Sequence, residues 1–137
     1  MPKLDQILET VLYVDDLDRA ATFYTNVLGL RSLFSDQRLR AFAVADRSML
    51  LLFRRGSCLQ TVRLTGGTIP PHDGEGPVHV AFAISADELP GWEAWLSEHA
   101  IAIEGRTQWP RGGTSLYFRD PDRHLVELAT PGLWEIY

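Results

Sequence analysis

Three polar side chains stand in apolar strand-like segments of this chain: Glu9 in Ile7-Leu8-Glu9-Thr10-Val11-Leu12-Tyr13-Val14, His79 in Pro77-Val78-His79-Val80-Ala81-Phe82-Ala83-Ile84, and Glu127 in Leu125-Val126-Glu127-Leu128. Two carboxylates and an imidazole are donors that hold divalent cations. The first two segments begin copies of one pattern, with Glu9 and His79 each third from the start. The copies close with Asp46-Arg47-Ser48-Met49-Leu50-Leu51-Leu52 and Asp122-Arg123-His124-Leu125-Val126-Glu127-Leu128, which align Leu51 with Glu127. Two equivalent positions in two copies thus hold Glu, Leu, His and Glu, three of which can coordinate a metal. Alternation along a strand puts Glu9 with Ile7, Val11 and Tyr13, His79 with Ala81 and Ala83, Leu51 with Met49 and Phe53, and Glu127 with Leu125 and Ala129. A lone carboxylate on such a face costs several kcal/mol of desolvation unless it is paired, protonated or metal-bound. Pairing remains the competing explanation: Glu9 with an arginine such as Arg54 or Arg119, and His79 as a hydrogen-bonded core residue.

These side chains need strands to carry them, and the same order of elements is expected twice. Residues 6–14 form a strand and Asp15-Asp16 cap a helix whose apolar positions are Ala20, Phe23, Tyr24, Val27 and Leu28; Gly29 ends it. Strands follow at 30–34, 39–45 and 49–53. The second copy has a strand at 78–84, a helix marked by Leu89, Trp92, Trp95, Leu96 and His99 with Pro90 in its first turn, and strands at 101–104, 114–118 and 125–129. The fold class is α+β, two β-α-β-β-β modules in one domain. Module one spans about 5–64, a linker 65–76 that doubles as a candidate lid, and module two about 77–137.

With 137 residues, 45% hydrophobic and 23% charged, the chain has the composition of a soluble globular domain. A net charge of −5 with scattered Lys and Arg argues against nucleic acid or an anionic membrane as partner, and no apolar run is long enough to span a bilayer. The single cysteine, Cys58, and the absence of a leader pattern before Ile7 favour the cytoplasm. Cys58 has no partner in sequence that would activate it as a nucleophile. His72, in Pro70-Pro71-His72-Asp73, is a candidate general acid or base, against the alternative of an exposed loop histidine. Arg111, in Trp109-Pro110-Arg111-Gly112-Gly113, is a candidate clamp for an anionic substrate or else a solvated turn residue. Trp109, Tyr117, Phe53 and Tyr13 are candidate pocket-lining aromatics, although aromatics in strands usually serve the core.

Leu8-Glu9-Thr10-Val11-Leu12-Tyr13-Val14-Asp15-Asp16-Leu17 with Ala21-Thr22-Phe23-Tyr24 and Val27-Leu28-Gly29-Leu30 resembles the opening of vicinal oxygen chelate proteins. This superfamily includes glyoxalase I, extradiol dioxygenases, and fosfomycin- and bleomycin-resistance proteins. Gly76-Pro77-Val78-His79-Val80-Ala81-Phe82, Gly112-Gly113-Thr114-Ser115-Leu116-Tyr117-Phe118-Arg119-Asp120-Pro121-Asp122 and Val126-Glu127-Leu128 extend the likeness over essentially the whole chain. The resemblance implies paired modules forming a cupped mixed sheet, metal ligands at Glu9, His79 and Glu127, and a homodimer. Two positions depart from the pattern. The first-strand ligand is commonly histidine where Glu9 stands, and glyoxalase I has a glutamate where this chain has Leu51. Leu51 then borders the substrate position instead of filling the fourth ligand place. The expectation is a metal-dependent lyase, isomerase or dioxygenase that chelates a small oxygenated substrate through Mn, Fe(II), Ni, Zn or Mg, with Glu9 or Glu127 as proton carrier. The alternative is a metal-free binding or drug-sequestration protein of the bleomycin-resistance type.

Overall fold

The computed structural model describes all 137 residues, which divide into two compact units, Met1–Glu75 and Gly76–Tyr137. The first contains β1 (Glu9–Val14), α1 (Leu17–Asn26), β2 (Arg31–Ser35), β3 (Leu39–Val44) and β4 (Ser48–Arg54). Its sheet has the order β1-β4-β3-β2, with β1 parallel to β4 and the other pairs antiparallel. The helix starts where the acidic pair predicts, because the Asp16 side chain accepts from the Arg19 N–H at 3.0 Å. Gly29 follows it with φ +66, a left-handed conformation that glycine adopts without a Cβ penalty.

Alternation then sorts the side chains of this unit. Leu12, Val14, Phe42, Leu50 and Leu52 are buried on the face that meets α1, together with Ala20, Phe23 and Tyr24 of the helix. The other face carries Val11, Tyr13, Leu39, Ala41, Met49, Leu51 and Phe53, and Cys58 packs on it from the following loop. A short hairpin, β5 (Val62–Leu64) with β6 (Gly67–Ile69), occupies chain expected to be partly linker.

The second unit contains β7 (His79–Ala83), a 3-10 turn (Ala86–Glu88), α2 (Leu89–Glu98), β8 (Gly105–Gln108), β9 (Thr114–Arg119) and β10 (Leu125–Ala129). Its sheet order is β7-β10-β9-β8, again with one parallel pair, β7 with β10. The strand expected at 101–104 falls instead at Gly105–Gln108. Ala100 takes φ +54 and the Ile101 N–H returns to the Leu96 carbonyl, so the chain is still leaving the helix where the apolar residues Ile101 and Ile103 suggest a strand. Leu96, Leu116, Phe118, Val126 and Leu128 form the buried core of this unit.

The two sheets share one register. Glu9 pairs with Met49 and Met49 with Ala43, while His79 pairs with Leu125 and Leu125 with Arg119. One row further on, Val11, Leu51 and Ala41 correspond to Ala81, Glu127 and Tyr117. Glu9 and His79 are therefore structurally equivalent, as are Leu51 and Glu127. No helix is long and apolar enough to cross a membrane.

Leu52 is 0% exposed and Leu33 is 49% exposed. Leu52→Ala is expected to cost about 2–5 kcal/mol of unfolding free energy. Leu33→Ala should stay within about 0.5 kcal/mol of the parent. Chemical denaturation of both variants checks this, and equal losses would contradict the assignment of faces.

Candidate metal and substrate site

In the second unit β10 carries Glu127 between Ala81 of β7 and Tyr117 of β9. Its residue is 5% exposed, so its carboxylate oxygens need partners. Ser115, two residues from Tyr117 on the same face of β9, donates its hydroxyl to Glu127 Oε1, and the Trp109 indole N–H donates to Ser115 Oγ at 2.8 Å. Glu127 Oε2 lies 3.0 Å from His79 Nε2, and His79 Nδ1 lies 3.0 Å from the Leu125 carbonyl. A carbonyl accepts only, so Nδ1 carries a ring proton and the imidazole is oriented with Nε2 toward the carboxylate. The Tyr117 ring stands 6.3 Å from the His79 ring, centroid to centroid.

The turn between β9 and β10 fixes this arrangement. Asp120 and His124 are buried and bond side chain to side chain at 2.8 Å, and Asp120 Oδ1 also accepts the backbone N–H groups of Asp122 and His124. Arg119, a candidate partner for Glu9 on sequence grounds, donates to Glu104 at 3.1 Å and to the Arg123 carbonyl at 3.1 Å. Arg111 sits exposed at the tip of a turn closed by Trp109 N–H to Gly113 O at 2.8 Å. A Cβ on Gly113 would lie 2.7 Å from the Leu133 side chain and 2.8 Å from the Gly132 backbone, so the turn needs glycine there.

In the first unit Glu9 is exposed at the start of β1. The desolvation argument made from alternation therefore applies to Glu127 and not to Glu9, because the segment before β1 leaves Ile7 at 78% and Leu8 at 63% exposure. Leu51 is buried against Ala41, Phe53 and Cys58. His72, expected as an acid or base on a loop, is half-buried with Nδ1 2.6 Å from the Tyr13 hydroxyl and its ring edge-on to Phe53 at 4.9 Å. The His72 N–H bonds the Cys58 carbonyl at 2.9 Å, Asp73 accepts from the Gly56 N–H at 3.1 Å, and Arg55 holds both Asp15 and the Gly74 carbonyl. Residues 72–74 are thus strapped across the Tyr13 end of the sheet, and a Cβ on Gly74 would meet the Tyr13 ring at 2.7 Å.

The sequence profile of the Glyoxalase/Bleomycin resistance protein/Dioxygenase superfamily matches residues 3–128. The chain belongs to that superfamily. Among curated relatives, the metallothiol transferase FosB of Staphylococcus saprophyticus is 28% identical over 127 residues, covering 91% of this chain and 77% of the relative. FosB of Lysinibacillus sphaericus is 29% identical over 119 residues, covering 85% and 76%. Among solved structures, lactoylglutathione lyase from Agrobacterium tumefaciens superposes with a TM-score of 0.88 at 33% identity, covering 98% of this chain and 99% of that one. The fosfomycin resistance protein FosX of Listeria monocytogenes shares the fold with a TM-score of 0.66 at 21% identity.

Within the superfamily fold, the donor chemistry of His79 and Glu127 fits a divalent cation. With Nδ1 donating to the Leu125 carbonyl, the imidazole turns Nε2 toward the Glu127 carboxylate at 3.0 Å, so one nitrogen and one oxygen ligand type from neighbouring strands face the same point. Neither unit gathers three His, Cys, Asp or Glu side chains by itself. Sequence reasoning passed over Ser115 and the Tyr13–His72 bond. Alternation from Tyr117 back to Ser115 carried the first signal, whereas the second depends on the path of the strap.

Burial, followed by the neighbouring acidic groups Cys58 and Asp73, raises the Tyr13 pKa above its ordinary 10.0. The unfolded chain therefore releases this proton first. The stabilisation linked to it is complete below pH 10.0 and is lost as pH rises through the folded value. Ultraviolet titration of the wild type minus Tyr13→Phe should show half-ionisation above pH 10.0; a midpoint at or below it would contradict the packing described.

Proposed function

We propose that this chain is a metal-dependent enzyme acting on a small substrate with adjacent oxygens, with Glu9, His79 and Glu127 as its metal ligands. The observation that carries this is the His79–Glu127 pair, oriented by the Leu125 carbonyl on one side and by Ser115 on the other. The names metallothiol transferase and lactoylglutathione lyase among its relatives support metal chemistry on oxygenated small molecules. A divalent ion (Mn, Fe(II), Ni, Zn or Mg) supplies Lewis-acid polarisation of the substrate oxygens when bound. Three protein ligands leave open positions for the substrate, since Leu51 offers no donor where Glu127 has its counterpart.

The remaining roles fall to residues of both units. Glu9, exposed at the head of β1, or Glu127, buried in β10, is the proton carrier of the ligand set. His72, with Nδ1 engaged by Tyr13, is an acid or base through its other nitrogen. Arg111 meets an anionic substrate group at its exposed turn, and Tyr117, Trp109, Phe53 and Leu51 are the further substrate-binding residues. Lyase, isomerase and oxygenase reactions suit this set, and so does a transferase reaction of the kind named for FosB. The reading places the protein in the cytoplasm, where its single cysteine stays reduced.

A homodimer is part of this reading. β1 and β7 are edge strands of their own sheets, and Val78, Ala81 and Ala83 leave apolar surface on or beside β7 exposed. Light scattering at micromolar concentration should give twice the 15.4 kDa chain mass; a monomer would overturn this part.

A metal-free binding protein is the second reading, favoured by the apolar cluster of Ala41, Leu51, Phe53 and Cys58 in the first unit. Melting curves separate the two. After chelator treatment, added Mn, Ni or Zn should raise the melting temperature of the wild type, because binding to the native state alone stabilises it by mass action. His79→Ala should lose that response. A wild type unmoved by every metal would defeat the enzyme and leave the binder.

A further inference from the structure

Glu127 has a neighbour at each oxygen, and at Oε1 the hydrogen bonds that hold it run in one direction only. The indole of Trp109 has an N–H and no lone pair to offer in the ring plane, so Ser115 Oγ, 2.8 Å away, must accept from it. With one acceptance made, the Ser115 hydroxyl proton is directed at Glu127 Oε1. Ser115 is 0% exposed, so bulk water does not reach that proton. Oε1 therefore receives a donor in the ground state, and Oε2, 3.0 Å from His79 Nε2, is the oxygen left to the proposed metal.

We infer that Ser115 and Trp109 are positioning residues that fix Glu127 as a ligand through Oε2 alone. This rests on the proposed metal site and deepens it. A carboxylate that accepts from a buried hydroxyl at one oxygen presents the other to a cation in one fixed orientation. The relay also explains the placement of Trp109: its turn is closed by Gly113, which packs against Gly132, so the indole is delivered to Ser115 from a rigid corner.

The full-length protein, freed of metal and then titrated with Mn or Co(II), tests this with three variants. Ser115→Ala should weaken binding by about 10- to 100-fold, the range for losing a partner that orients a metal ligand. It should also change the Co(II) visible spectrum as Oε1 becomes free to coordinate. Ser115→Thr, which keeps the hydroxyl, should restore both affinity and spectrum, and Trp109→Phe, which keeps the ring and removes the N–H, should fall between. In the metal-free state the Trp109 indole N–H, one of four indole signals in a nitrogen-proton spectrum, should be protected from exchange in the wild type and in Ser115→Thr and unprotected in Ser115→Ala. Ser115→Ala binding metal as tightly as the wild type, with an unchanged spectrum, would overturn the inference. So would an unprotected indole in the wild type. A wild type that binds no metal but keeps the protected indole would instead overturn the metal reading while leaving the relay in place, and with it would go the ligand role assigned to Oε2.

Discussion

The arrangement at the candidate centre depends on a carboxylate buried in a sheet. Glu127 is 5% exposed in the middle of β10, between strands on both sides, where an ionised group without partners would cost several kcal/mol. Its oxygens are answered by Ser115 and by His79, and each of those is oriented by a further group, Trp109 and the Leu125 carbonyl. Four strand or turn segments must therefore keep their register for one side chain. The parallel pairing of β7 with β10 aligns Leu125 with His79, so the same strand supplies both the carboxylate and the carbonyl that sets the histidine tautomer. The β9–β10 turn, locked by the buried Asp120–His124 bond, does the same for Ser115 and Tyr117.

That dependence shows why the sequence was informative in some places and silent in others. β10 was legible to the residue because a β-branched and leucine-rich run is bounded by a polar turn and by Thr130-Pro131. β8 was misplaced because apolar content was followed at Ile101 and Ile103, whereas pairing with β9 uses Gly105-Arg106-Thr107-Gln108, whose partners across the ladder decide the strand. The β5–β6 hairpin went unnoticed although Thr65-Gly66-Gly67 is turn-forming chemistry; the proline pair after it drew the whole stretch into a linker.

The candidate site was legible to the degree that it follows from period-two alternation. His79 and Glu127 were paired from the repeat, and the structure brings them to 3.0 Å. Glu9 was read as facing an apolar environment because its neighbours Ile7 and Val11 are apolar, but Ile7 precedes the strand and is exposed. Alternation gives a side and does not say whether anything covers it. The Tyr13–His72 bond spans 59 residues and is set by a strap tied through Arg55, Gly56 and Asp73, which no local pattern encodes.

The two modules share a register and differ in what they place on it. Across the equivalent rows, Leu51 replaces Glu127, Ala41 replaces Tyr117, and Leu39 stands where Ser115 does, since Leu39 pairs with Phe53 as Ser115 pairs with Ala129. The apolar set is self-consistent: Leu51 needs no hydrogen bond, so Leu39 need not donate one, and Cys58 and Phe53 can close over it. The polar set is self-consistent in the same way, because each member is another member's partner. A carboxylate moved into the first module at position 51 would meet leucine where the second module has serine, with only the weak S–H donor of Cys58 in the cluster around it. The asymmetry between the modules is therefore a property of whole rows of side chains rather than of single positions: Leu51 goes with Leu39 as Glu127 goes with Ser115.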